Sequence, residues 1–205
     1  MSELSLEAVL HPERTALVVW DMQVGIASNA HNLNTLVPTT NAVIDAAHKA
    51  GVKVFWSRHI GTPVTLMAQA TQRLFMRRQN VTTPSDIKPF MVEGSAEVGW
   101  LAPISPGKSD VVIDKTTPSF FVGTPFELRL RALRIESLVF AGVATEQGIE
   151  LSARHALALG FTSVVISDAV GSFTEAAHDR GLTSLRAIVE VLNAAEVMDI
   201  WSRAA

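Results

Sequence analysis

The 205-residue chain contains no cysteine and no tyrosine. Without a thiol there is no disulfide, no cysteine-ligated zinc or iron–sulfur centre and no thiolate nucleophile. Without a phenol, no tyrosine acts as a catalytic acid or puts a hydroxyl into a pocket wall. An excess of one charge is missing as well: 17 Lys and Arg stand against 20 Asp and Glu, a net charge of −3. No electrostatic case therefore exists for nucleic acid or an anionic membrane surface as partner. The longest apolar runs, such as residues 16–20 and 137–144, fall far short of the roughly 20 residues that cross a bilayer. Neither a basic segment nor a continuous apolar stretch near the N-terminus reads as a signal peptide. The expectation is a cytoplasmic protein acting on a small molecule. Glycine-rich phosphate loops are also missing, so no dinucleotide cofactor is expected.

What is present is a rhythm. Short β-branched runs at residues 16–21, 52–57, 110–114, 137–141, 162–167 and 196–200 alternate with stretches of helical period at 35–50, 64–80, 125–133, 147–159 and 175–192. Gly51 and Gly160 sit just past two of the predicted helices, where a left-handed cap belongs. Strands that read as continuous apolar runs are covered on both faces. Right-handed crossovers then give one α/β domain over residues 1–205: a three-layer αβα, doubly wound, Rossmann-like fold on a six-stranded, mainly parallel sheet. Residues 80–108, rich in Pro, Gly, Ser and Thr, form the one long irregular connection, expected as an active-site lid or an oligomer contact.

Ligands of such sheets bind beyond the carboxyl ends of the strands, where strand order reverses. Few polar residues meet that condition: Asp21, Arg58 and His59, Asp114 and Lys115, Thr145 to Gly148, and Asp168. Asp21 alone reads equally well as a loop cap, and Lys115 alone as a solvated edge lysine. Together they offer an acid and a base on the functional edge, able to hold charge as a buried pair. The turn from Gly142 to Glu150 opens a helix whose free N–H groups face the ligand side. Gly148 at that helix start invites a reason, because glycine costs up to about 1 kcal/mol there relative to alanine; room for a substrate is the simplest.

These residues resemble the isochorismatase-like hydrolase superfamily, which also holds nicotinamidases and carbamoylsarcosine amidohydrolase-like enzymes. The resemblance runs over nearly the whole chain: Asp21-Met22-Gln23 after the first strand, Asp114-Lys115 followed by Ser119-Phe120, the stretch Ala141 to Arg154, and Ser167-Asp168-Ala169. In most members an Asp, a Lys and a Cys form a triad; the matching cysteine position here is Gly148. The resemblance therefore implies a cysteine-less hydrolase with Asp21, Lys115 and Gly148 in the catalytic set. Members with isochorismatase activity are similar in carrying glycine there, and cleave a vinyl ether with the aspartic acid as proton donor. Gln23, Phe120, Ala144, Glu146 and Gln147 are the expected substrate contacts, with no metal and no cofactor. A cis peptide at Val143-Ala144 and a homodimer or homotetramer are further implications. Two other readings stay open: a catalytically degenerate binding or regulatory protein, and a water-driven amidase with Asp21 as base. Arg58, Arg78 or Lys115 would pair with a substrate carboxylate. Arg73 and Arg77, one helical turn apart, read as a solvated face, and His155 and His178 as surface or packing residues.

Overall fold

A computed structural model describes residues 4–204 of the chain. A short turn of helix α1 (Leu6–Val9) leads into β1 (Thr15–Trp20), followed by α2 (Val24–Ala27), α3 (Leu33–Ala50), β2 (Lys53–His59), α4 (Gln69–Gln79) and β3 (Val111–Lys115). The second half runs α5 (Phe126–Ala132), β4 (Ser137–Val143), α6 (Glu150–Ala158), β5 (Thr162–Gly171), α7 (Glu175–Arg186), β6 (Glu190–Leu192) and α8 (Ala194–Ala204). The six strands form one parallel sheet in the order β3-β2-β1-β4-β5-β6. Strand order reverses between β1 and β4, the place beyond whose strand ends sheets of this kind commonly bind their ligands.

Both central strands are buried at every residue, as continuous apolar runs require when helices cover both faces. Successive side chains point to opposite faces. Leu17 and Val19 of β1 join a core with Val43 and Ala47 of α3 and Val197 and Trp201 of α8. Ala16, Val18 and Trp20 point the other way, into a core with Phe126 and Leu130 of α5, Ala153 and Ala156 of α6, and Leu182 of α7. Trp20 is thereby committed to the face on which α6 begins. Gly51 and Gly160 have φ of 77° and 87°, the left-handed values expected after α3 and α6.

Two expectations are corrected. Residues 196–200 are helical, inside α8, and the sixth strand is Glu190–Leu192, within the stretch read as the end of a helix. The reason for α8 is a capping box: the Asn193 side chain accepts from the Glu196 N–H at 3.0 Å and the Glu196 carboxylate accepts from the Asn193 N–H at 2.7 Å. Its buried residues Ala194, Val197, Ile200 and Trp201 keep the spacing of one helical face. The connection at residues 80–108 carries single helical turns at Pro84–Asp86 and Ala96–Val98. It packs on the end of β1, where Leu101 N–H donates to Met22 O at 2.9 Å and Val24 N–H to Gly99 O at 2.8 Å. No helix among the described residues is long and apolar enough to cross a membrane.

Candidate active site

Three neighbouring strands converge on Asp21. The residue leaves β1 with φ of 44°, in the left-handed region, where a non-glycine residue is strained. This turn aims its carboxylate across the sheet towards β2 and β3. Lys115, the last residue of β3, reaches over β2 and donates to Asp21 Oδ2 at 2.7 Å. Ser57 of β2 donates its hydroxyl to Asp21 Oδ1 at 2.5 Å and accepts the Asp21 N–H at 3.1 Å. All three are buried: Asp21 is 5% exposed, Lys115 4% and Ser57 0%. Such a pair persists out of water because each charge has a partner and the spare lone pairs have donors. Ser57 escaped the sequence reading, although it closes the predicted second strand at the functional edge.

Trp20 roofs this trio. The Lys115 ammonium lies 4.5 Å from the centre of a Trp20 ring, within cation–π range. Gly148 lies in the helical turn Thr145–Ile149 after β4, and a Cβ built on it would fall 2.4 Å from Cζ2 and 2.5 Å from Nε1 of Trp20. The space expected for a substrate over Gly148 is occupied by the indole. Gly142, paired with Trp20 across β1 and β4, has φ of 117°, and a Cβ there would come 2.1 Å from the Trp20 carbonyl oxygen.

The expected substrate contacts are distributed unevenly. Gln23 is fully buried and its amide is spent on backbone: it accepts from His59 N–H at 2.7 Å and donates to His59 O at 3.1 Å and Val98 O at 3.0 Å. It latches β1, β2 and the 80–108 connection together. Phe120 stacks on Phe126 at 4.0 Å and meets Trp20 edge-on at 5.6 Å, so it backs the indole. Ala144 is 6% exposed beside the cis Val143–Ala144 peptide. Glu146 Oε1 accepts from Gln147 at 3.2 Å, and its Oε2 is buried without a partner. Gln147 in turn accepts from the exposed Arg78 guanidinium at 3.1 Å. Arg58 grips Asp114 with two bonds of 2.5 and 2.7 Å, and Asp168 caps α8 through Ala194 N–H at 2.7 Å. His155 and His178 pair through Nδ1 with the hydroxyls of Ser119 and Thr145, each at 2.9 Å.

Beyond the ends of β2 and β3 lies a cavity of about 470 Å³, lined by His59, Thr71, Phe75, Ile87, Phe90 and Thr116 among others. His59 is the inner wall, opposite Lys115 in the β2–β3 register. Burial and the nearby Lys115 charge push its imidazole down to about 4 against the opposing pull of Asp21, so it is neutral at physiological pH. Among the described residues no group of three His, Asp or Glu side chains is placed to hold a metal ion.

The chain is a doubly wound αβα domain with a buried carboxylate–ammonium pair beyond the carboxyl ends of its strands, the edge at which such folds place their ligands. The isochorismatase domain family matches residues 15–199, and the chain belongs to that family of hydrolases. An uncharacterized isochorismatase family protein, YecD of Escherichia coli O157:H7, is 32% identical over 196 residues, 90% of this chain and 98% of that protein. The ureidoacrylate amidohydrolase RutB of Cronobacter turicensis is 30% identical over 173 residues, 77% of this chain and 75% of that protein. A cysteine hydrolase from Pseudomonas syringae pv. phaseolicola superposes with a TM-score of 0.80 over 95% of both chains at 22% identity, sharing the fold.

Proposed function

We propose that this hydrolase works without a covalent intermediate, with Gly148 standing where the family signature places its cysteine, Asp21 as the proton-transfer residue and Lys115 as its orienting partner. The observation that carries this reading is the 2.7 Å Asp21–Lys115 pair at the switch point, in a chain with no thiol. A vinyl ether is the substrate class that such a site suits, since its cleavage needs a proton donor and no nucleophilic side chain. Asp21, loaded with a proton, delivers it to the methylene carbon of an enolpyruvyl group. Water adds to the resulting oxocarbenium carbon and returns a proton to Asp21; the hemiketal then breaks the bond between that carbon and the ether oxygen, its hydroxyl proton passing to that oxygen, so that pyruvate and the ring alcohol leave. Arg78, exposed and held by Gln147, anchors the substrate carboxylate, while the unpartnered Glu146 oxygen turns carboxylates away from its own side.

One observation favours a second reading. Two donors, Ser57 and Lys115, converge on the Asp21 carboxylate, the arrangement of an acceptor that takes a proton from water. The ureidoacrylate amidohydrolases among the relatives support the same reading, a water-driven hydrolysis of a small amide with Asp21 as base. Isochorismate with a lactate dehydrogenase couple, and ureidoacrylate with ammonia detection, separate the two. Turnover of one substrate, lost by at least about a hundredfold in Asp21→Asn, is expected. Absence of turnover on both, with a ligand still raising the melting temperature, would leave a binding protein.

A further inference from the structure

We infer that Trp20 and Gly148 form one coupled unit, in which the indole of Trp20 fills the slot that any side chain at position 148 would need. The nucleophile position is thus closed by two residues. Its steric basis stands on packing alone; its meaning for catalysis rests on the reading of position 148 given above.

Three observations carry the coupling. A Cβ on Gly148 meets three indole atoms at 2.4 to 2.5 Å and is met by nothing closer, so even alanine collides. Gly148 does not have the left-handed φ that would by itself call for glycine, and alanine is the better helix former. The requirement for glycine therefore comes from the indole. The indole, finally, has nowhere to go. Trp20 is 1% exposed, backed edge-on by Phe120, faced by the Lys115 ammonium and fixed at its backbone against Gly142.

A consequence follows for any attempt to install the missing nucleophile. Gly148→Cys alone puts a thiol into occupied space. Shortening Trp20 is the step that opens the slot. Trp20 is accordingly a specificity-determining residue: it holds the site to chemistry at Asp21 and keeps an acyl-accepting group from position 148.

The experiment is a double-mutant cycle in the full-length chain, with thermal melts of Gly148→Ala, Trp20→Leu and the double variant. Gly148→Ala is expected to lower the melting temperature, or to abolish soluble expression, when Trp20 is intact. In the Trp20→Leu background the same change is expected to be neutral or to raise it. Trp20→Phe, which keeps a ring but shortens the colliding edge, supplies the background if Trp20→Leu does not fold. Gly148→Cys is then compared in both backgrounds with p-nitrophenyl acetate. The introduced thiol, alone in a chain without others, is expected to take up the acetyl group by intact mass only when Trp20 is shortened. Additive melting shifts, or a Gly148→Ala protein as stable as the parent, overturn the coupling. Coupled shifts with equal acetylation in both backgrounds overturn the catalytic meaning and leave the packing unit; failure of isochorismate or ureidoacrylate turnover touches neither result.

Discussion

At the scale of single residues the site is defined by what each side chain has left to give. Asp21 has both oxygens engaged, so removing it leaves Lys115 buried without a counter-charge. Asp21→Ala is expected to destabilise the fold by about 3–5 kcal/mol by urea denaturation, and Lys115→Met combined with Asp21→Asn by less than the sum of the two single changes. His59 makes a pH prediction. The unfolded imidazole titrates near 6.5, the folded one at about 4, so between these values the unfolded chain binds a proton that the folded chain refuses. Stability therefore falls as pH drops from about 6.5 to about 4, by about 3 kcal/mol in all. His59→Gln is expected to flatten that acid limb in denaturant titrations across the window; an unchanged slope would refute the assignment. Asp21 and Lys115 were legible in the sequence because position and motif coincide there. Ser57 and Trp20 were not, because nothing local marks a serine that meets an aspartate, or an indole that meets a glycine, only after three strands have paired.

At the scale of elements the glycines separate two causes. Gly51 has φ of 77° with nothing within 4 Å of a built Cβ, so Gly51→Ala costs only the backbone term, about 1–2 kcal/mol. Gly142 combines φ of 117° with a 2.1 Å approach to the Trp20 carbonyl, and Gly142→Ala is expected to prevent soluble folding, read by expression and circular dichroism. The strands and most helices could be anticipated from period alone. The exchange of strand and helix near the C-terminus has a physical cause: β6 is only three residues long and lies at the sheet edge, too short to show alternation. The Asn193–Glu196 capping box was the local signal that α8 begins there.

At the scale of the whole molecule the sheet separates two cores, and each has an aromatic anchor. Trp201 of α8 is fully buried against α3 and the sheet, so Trp201→Ala is expected to cost about 3–5 kcal/mol in urea unfolding without changing the KM of whichever substrate is turned over, since it lies on the face opposite Trp20. Fold class followed from the alternation of strands and helices, and the reversal of strand order pointed to the ends of β1 and β4. What sequence could not show was which cavity stays open. The indole fills the space over Gly148, and the open volume lies at the ends of β2 and β3 beside His59.

The strand order also bears on how the chain is made. β1, β2 and β3 occupy half the sheet and between them hold Asp21, Ser57 and Lys115, all of which leave the ribosome before β4 at residues 137–143. The ion pair and its serine can therefore assemble on a half-sheet whose β1 edge is still unpaired, an edge open to mispairing until β4 arrives. Position 148 follows β4 in synthesis, so a bulky side chain there would meet the Trp20 indole as soon as β4 has docked beside β1.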